Sequence, residues 1–296
     1  MSLRLKRIMT ILLIILGICL IAAAVSAVVC SVSVKATYYT EALPGIETPC
    51  RVVAISDLHS KEYGEDNERL ISLIAEQKPD AIFCVGDMLS RDADSEDIER
   101  FAALVRRLRE IAPVYYTIGN HEDEFYTAKL TDLKTAVEDA GGVFLNNEYS
   151  DVEIGGNRIR LVGLLGGNSP WLSYYSDDSD HDLDGTEYAF FEDLRSCELP
   201  TVYLAHMPNM MIFFEPWKEF RMDLVISGHV HGGLWRLPFV GGVISPSEGL
   251  FPEYDHGRYR FGDTDMILSS GLYGYDMVPR LFNRPEICVI DLVPEE

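Results

Sequence analysis

The chain has 296 residues, 47% of them hydrophobic, and a net charge of −22. That acidic balance argues against nucleic acid as a partner, because phosphate backbones are held by basic surfaces. It also means that an anionic substrate needs local help, for instance from bound cations.

The N-terminal segment, residues 1–34, stands apart. Arg4, Lys6 and Arg7 precede a run from Ile8 to Val34 without a charged residue. About 20 apolar residues span a bilayer as a helix, and this run is longer. The basic cluster predicts a cytoplasmic N-terminus, with the domain that follows outside the cytoplasm in a single-pass cell-membrane protein. Val25-Ser26-Ala27 also reads as a small-residue cleavage site of a secretory leader, although the apolar run is long for one. Two of the six cysteines lie in this run, and Cys84 and Cys288 lie in predicted buried strands. Cys50 and Cys197 are the one pair placed in loops, so no disulfide framework is expected.

Residues 35–50, with Pro44, Gly45 and Pro49, read as a linker, and residues 51–296 as one domain. Arg51 to Ser56 is a short apolar run expected as a buried strand, ending in Asp57-Leu58-His59. A helix follows over about Asn67 to Gln77, with Leu70, Ile71, Leu73 and Ile74 on its inner face. Ala81 to Val85 is the next strand, ending in Gly86-Asp87. Asp94 or Ser95 caps a helix that runs to about Ile111. Val114 to Ile118 is a third strand, ending in Gly119-Asn120-His121-Glu122. Repetition of strand, loop and helix predicts parallel β-α-β units. Ligand sites in such sheets collect at the carboxyl ends of the strands.

A helix over about Leu130 to Ala140 stops at Gly141-Gly142. Residues 143–165 read as β-hairpins, with a Gly155-Gly156-Asn157 turn. A loop over 166–186 carries Trp171, Tyr174 and Tyr175, which suit either a lip for a lipid-like substrate or core packing. In the same loop Asp180-x-Asp182-x-Asp184-Gly185 opens like a calcium loop, but its twelfth position is Phe191. A hydrated acidic loop is the better reading. Then come a helix over Glu187 to Ser196, a strand Thr201 to Ala205 ending in His206, and a helix around Met210 to Phe220. Leu224 to Ile226 leads into Gly228-His229-Val230-His231, and late strands are expected at Met266–Leu268 and Ile287–Leu292.

Five of the seven histidines thus fall at predicted strand ends, joined there by Asp57, Asp87 and Asn120. Singly, each has an ordinary reading as a turn residue, a cap or a buried structural histidine. Together they make a ligand set of carboxylates, an amide oxygen and imidazoles without thiolate. That set suits two divalent cations, manganese, iron or zinc. Two such ions clamp the attacking and leaving oxygens of a phosphoryl displacement.

Asp57-Leu58-His59, Gly86-Asp87, Gly119-Asn120-His121-Glu122, His206 and Gly228-His229-Val230-His231 resemble, in order and spacing, the five blocks of the calcineurin-like metallophosphoesterases. The resemblance implies a four-layer α-β-β-α sandwich of two mixed sheets, here after one transmembrane helix. It implies that Asp57, His59 and His231 bind one metal with bridging Asp87, and that Asn120, His206 and His229 bind the other. His121 is implied to stabilise the transition state or protonate the leaving oxygen, and Glu122 to orient His121 or complete the loop. A metal-bridging hydroxide is the implied nucleophile.

The tail, Gly232 to Pro238, Ser245-Pro246, Gly249 to Pro252 and Pro279 to Glu286, is similar to a membrane-anchored or exported bacterial subgroup. Some members hydrolyse the pyrophosphate of UDP-diacylglucosamine, and others are broad phosphatases. Leu234 stands where the subgroup usually has Gln, and Ser90 where Asp is common. Arg91, Arg236, Arg280 and Arg284 suit bidentate phosphate contacts, with Arg91 and Arg236 the substrate-binding candidates; ion pairs with Asp and Glu suit all four equally well. The expected function is a membrane-anchored phosphoesterase acting on a phosphate ester. The rivals are a pyrophosphohydrolase on nucleotide- or lipid-linked sugars and a non-catalytic metal-binding scaffold.

Overall fold

The computed structural model describes residues 3–164, 185–245, 248–273 and 278–295. The apolar run forms one helix, α1 (Leu3–Val32), with only Cys30 buried. The calcium-like loop motif and Trp171, Tyr174 and Tyr175 lie outside the described residues.

The chain then continues through β1 (Lys35–Leu43), β2 (Cys50–Ile55), α2 (Glu68–Glu76), β3 (Ala81–Val85), α3 (Ser95–Arg109), β4 (Val114–Thr117), α4 (Asn120–Asp123), α5 (Thr127–Asp139) and β5 (Val143–Phe144). Next come β6 (Glu148–Ile154), β7 (Asn157–Leu164), α6 (Gly185–Arg195), β8 (Thr201–Ala205), α7 (Asn209–Phe214) and β9 (Leu224–Ser227). Two small hairpins follow, β10 (Arg236–Leu237) with β11 (Gly241–Gly242) and β12 (Ile244–Ser245) with β13 (Gly249–Leu250). The described chain closes with β14 (Gly257–Phe261), β15 (Thr264–Leu268) and β16 (Glu286–Pro294).

Two mixed six-stranded sheets carry the fold, ordered β1-β16-β2-β3-β4-β5 and β14-β15-β9-β8-β7-β6. Strands β2 to β5 are parallel, β16 is antiparallel to β2, and β1 runs parallel to β16. The layers follow from alternation along each strand. In β2, Val53 and Ile55 face the helices, whereas Val52 and Ala54 face the second sheet. In β9, Leu224 and Ile226 face the first sheet and Val225 faces outward. Apolar residues on both faces of one strand require cover on both, hence the four layers.

Local signals explain the element ends. Asp94 caps α3 by accepting from the N–H groups of Glu96 and Asp97. The helix expected to run to Phe220 stops at Phe214, because Glu215 turns left-handed and Pro216 follows.

One expectation is corrected. The segment read as a linker is largely β1, paired with β16 along its whole length from Lys35↔Glu286 to Leu43↔Pro294. Its turn residues begin only at Pro44. Upstream, threonines and tyrosines favour an extended chain. Cys50, expected in a loop, is buried at the start of β2, and neither it nor Cys197 forms a disulfide.

Candidate metal centre

The carboxyl ends of β2, β3 and β4 meet those of β8 and β9 along one edge of the sandwich. Backbone bonds fix the meeting. The Asp57 N–H donates to Gly86 O, and the Gly86 N–H to Thr117 O. Sheet two is tied across by His206, whose Nδ1 lies 2.8 Å from Val85 O.

Five candidate ligands leave their strands in left-handed backbone: Asp57, His59, Asp87, His229 and His231. Each such turn costs on the order of 1–3 kcal/mol outside glycine and persists only where surroundings enforce it. Here it swings carboxylates and imidazoles out of the sheet line into one cleft. Gly228 is required by that crowding, since a Cβ there would stand 2.5 Å from Asp57 Oδ2.

Asp87 lies at the centre. Its Oδ2 is 3.1 Å from His206 Nε2, 3.8 Å from His59 Nε2 and 3.9 Å from His121 Nε2. Three groups of side chains converge closely enough to hold a cation: Asp57 with His59 and His231, Asp87 with His206 and His229, and His59 with Asp87 and His121. Asn120 joins the second group, with Oδ1 2.7 Å from His229 Nδ1. Every ligand expected from sequence is therefore within this cleft.

The donor set fits divalent cations. Nε2 of His59, His206 and His229 is buried without a hydrogen-bond partner among the described residues, the His206–Asp87 approach lacking hydrogen-bond geometry. A buried polar atom left unpaired costs about 1–3 kcal/mol, which a cation in that position would remove. His231 Nδ1 sits 3.1 Å from Tyr273 O, as His206 Nδ1 sits against Val85 O, which turns both Nε2 atoms toward the carboxylates of the cleft.

Electrostatics divide the imidazoles. Burial, aided by neighbouring imidazoles, pushes His59 down to about 3 and His229 to about 4, and His231 falls for the same first reason. These rings are neutral and free to donate a lone pair. Burial also opposes charge on His206, but Asp87 and then Asp57 outweigh it and raise that ring to about 10. Asp87 is pressed upward by burial and held far below the usual carboxylate range by His206, His59 and His121.

Glu122 turns its carboxylate to the backbone. Fully buried, it accepts the N–H groups of Asp87, Leu89 and Gly119 and so completes the loop. Burial, then the Asp87 charge, pushes its carboxyl up to about 7. Ser90 Oγ donates to His59 O. Leu234 is buried, and its carbonyl accepts the Leu281 N–H.

All four arginines are engaged by protein groups. Arg91 pairs with Glu124 at 2.6 Å, and Arg236 with Asp255 at 3.0 Å. Arg280 is buried and donates to the carbonyls of Tyr273 and Ser270, while Arg284 donates to Val34 O. Sequence reasoning missed Asn283, whose Nδ2 donates to His231 O at 2.7 Å, and the Tyr273 carbonyl. Asn283 lies in the Pro279–Glu286 stretch, read only for its resemblance, and Tyr273 in a stretch with no motif.

Comparisons with known proteins point the same way. The chain is 29% identical over 247 residues to the uncharacterized metallophosphoesterase YkuE of Bacillus subtilis, covering 82% of this chain and 78% of that one. It is 28% identical over 252 residues to the phosphodiesterase YaeI of Escherichia coli, covering 83% of each. A transmembrane protein with metallophosphoesterase domain from Danio rerio is 29% identical over 266 residues, with 85% of this chain and 55% of that one covered. The profile of the calcineurin-like phosphoesterase family matches residues 50–233, the stretch that supplies all of the clustered side chains. The chain therefore belongs to the calcineurin-like phosphoesterase family and is a metal-dependent phosphoric ester hydrolase.

Proposed function

We propose that the chain is a membrane-anchored phosphodiesterase with its catalytic domain outside the cytoplasm. The observation that carries the chemistry is the Asp87 carboxylate ringed by His206, His59 and His121 within 3.9 Å. Asp57, His59 and His231 with Asp87 would hold one divalent cation, and Asn120, His206 and His229 with Asp87 the other. Oxygen and imidazole donors without thiolate suit manganese, iron or zinc. Bound there, the ions supply Lewis acidity to phosphoryl oxygens and acidity to a bound water.

The chain's own residues do the rest. His121 Nδ1 accepts the Arg91 N–H at 3.2 Å, so the neutral ring carries its hydrogen on Nε2. That atom faces Asp87 Oδ2 across 3.9 Å, and the His121 side chain keeps 27% of its surface exposed. Through Nε2–H it is the imidazole placed to hydrogen-bond a phosphoryl or departing oxygen and so stabilise the transition state. Glu122 holds the Asp87 and Gly119 amides, and with them the loops that carry Asp87 and His121. Arg91, whose N–H meets His121, and Arg236, which donates to Gly232 O beside His231, each hold a carboxylate pairing to exchange for a phosphate.

The anchor reading rests on α1, a 30-residue helix of hydropathy 3.1 with none of its apolar window buried. Arg4, Lys6 and Arg7 at its start favour a cytoplasmic N-terminus. A reporter fused at Glu296 tests the orientation, and a cytoplasmic signal would overturn it.

For the chemistry, the full-length chain is stripped of metal, resupplied with manganese, zinc or iron, and given bis-p-nitrophenyl phosphate or p-nitrophenyl phosphate. We expect metal-dependent turnover, faster on the diester. His121→Ala should cut kcat by roughly 10²–10⁴ with metal content unchanged. A faster monoester would replace diesterase by phosphatase. Two bound metals with neither ester cleaved would favour a pyrophosphate-linked substrate of the UDP-2,3-diacylglucosamine kind.

A further inference from the structure

Most large apolar residues of the domain are buried, yet one edge beside the cleft exposes several. Phe239 is fully exposed at the tip between β10 and β11, with Leu237 and Val240 beside it. Leu250 and Phe251 stand exposed at the end of the next hairpin, and Phe282 on the loop before β16. Exposed apolar patches of this kind mark contacts with another surface. These segments are also knit together. Trp235 bridges Leu281, the Arg236 N–H donates to Leu281 O at 2.9 Å, and the Phe251 N–H donates to Val243 O at 2.9 Å.

What covers this edge is indicated by α1. The Phe282 N–H donates to Ser26 Oγ at 2.6 Å, so the loop lies against the apolar helix rather than beyond its end. With Arg7 held at the inner headgroups, about 20 residues cross the hydrocarbon and end near Ala27. Ser26, and Phe282 with it, then fall at the outer boundary of the hydrocarbon. Basic side chains mark the next level. Lys61 Nζ donates to Ser31 O at 3.1 Å and Arg284 Nη2 to Val34 O at 2.7 Å. At 1.5 Å per residue these carbonyls lie roughly 8–12 Å further along, at the depth of lipid phosphates.

We propose that the β10–β11 tip, the end of β13 and the Phe282 loop form one docking surface for the lipid bilayer, continuous with α1. This rests on the reading of α1 as an uncleaved anchor. Phe239, Val240 and Phe251 enter the boundary between headgroups and acyl chains, as apolar faces of monotopic proteins do. The surface is coupled to the cleft, because Asn283, next to Phe282, holds the carbonyl of His231 at 2.7 Å. The catalytic cleft is thereby fixed at the membrane surface instead of swinging free on a tether.

The test uses the full-length chain reconstituted in phosphatidylcholine–phosphatidylglycerol vesicles. Phe239→Trp and Phe251→Trp each add a reporter at an exposed position, and Tyr188→Trp in α6 is the control; each added emission is the difference from the parent chain. With lipids brominated on the upper acyl chain, the emission added at 239 or 251 should fall by roughly half or more, and that at 188 should not. Chain that resists alkaline washing while the reporters at 239 and 251 escape quenching would overturn the docking surface and leave the anchor intact. Blue-shifted but unquenched emission there would assign the patch to a second copy of the chain, again overturning the proposal. Loss of the chain on alkaline washing would overturn the anchor, and the docking surface with it.

Discussion

Glu122 Oε2 accepts the backbone N–H of Asp87 at 3.0 Å and that of Gly119 at 2.8 Å. Its other oxygen accepts the Leu89 N–H at 2.9 Å. One carboxylate thus joins the turn after β3 to the turn after β4. Glu122→Gln keeps the shape but turns one acceptor into a donor facing an N–H. Supports of this kind typically change metal affinity 10–100-fold, and we expect a loss of that size. Activity against metal concentration measures it. The curve should shift to higher metal and recover at saturation; an unshifted curve would remove the stapling role.

Asp87→Asn tests the centre itself. The amide preserves volume but removes the charge that offsets the buried His206 and faces three imidazole nitrogens. We expect fewer than two metals per chain and an activity loss beyond the roughly 100-fold ceiling of supporting residues. Elemental analysis of purified protein, set beside turnover and a circular dichroism melt, distinguishes this from a folding defect. Two tightly bound metals in the variant would show that Asp87 does not bridge.

Much of this centre is legible in sequence because strand ends in parallel units are local events. Asp57, His59, Asp87, Asn120, His121, His206, His229 and His231 each follow a short apolar run, and the sheet then brings those runs side by side. Long-range supports are different. Asn283 and the Tyr273 carbonyl reach His231 from 52 and 42 residues away, with no periodicity to announce them. The arginines were ambiguous for a chemical reason, since guanidinium geometry fits a carboxylate as well as a phosphate. Arg91 and Arg236 have each found a carboxylate.

Glu286 predicts the acid response of the fold. It is fully buried on β16, 2.8 Å from His256 Nε2 and 3.1 Å from Lys35 Nζ, and it accepts from Thr37 and the Ser270 N–H. Burial opposes its charge, but His256 and then Lys35 outweigh burial and hold the carboxyl well below the usual range. A carboxyl depressed in the folded state stabilises above its unfolded value, near 4.3, and that contribution is lost as pH falls toward the folded value. Thermal melts from pH 7 to pH 3 should therefore show stability falling below about pH 4. Glu286→Gln should flatten that limb and cost about 1–3 kcal/mol at pH 7, as losing a charged hydrogen-bond partner does. An unchanged acid limb in the variant would assign the loss to other carboxylates.

The least legible element gives the last prediction. Lys35–Leu43 looked like a tether because Pro44, Gly45 and Pro49 dominate its end, yet it is a nine-residue strand whose register with β16 is complete. Leu43 and Glu41 are buried in it, and Lys35 supplies a partner of Glu286. Burial of a leucine alone is worth about 1.5–3 kcal/mol, before the ladder of parallel hydrogen bonds is counted. Removing β1 would also bare the edge of β16, an invitation to aggregation. A fragment beginning at Lys35 should be soluble and melt cooperatively, whereas one beginning at Pro44 should aggregate or melt at much lower temperature. Circular dichroism melts and size-exclusion profiles of the two fragments decide the matter. Equal stability would return residues 35–43 to the role of a linker.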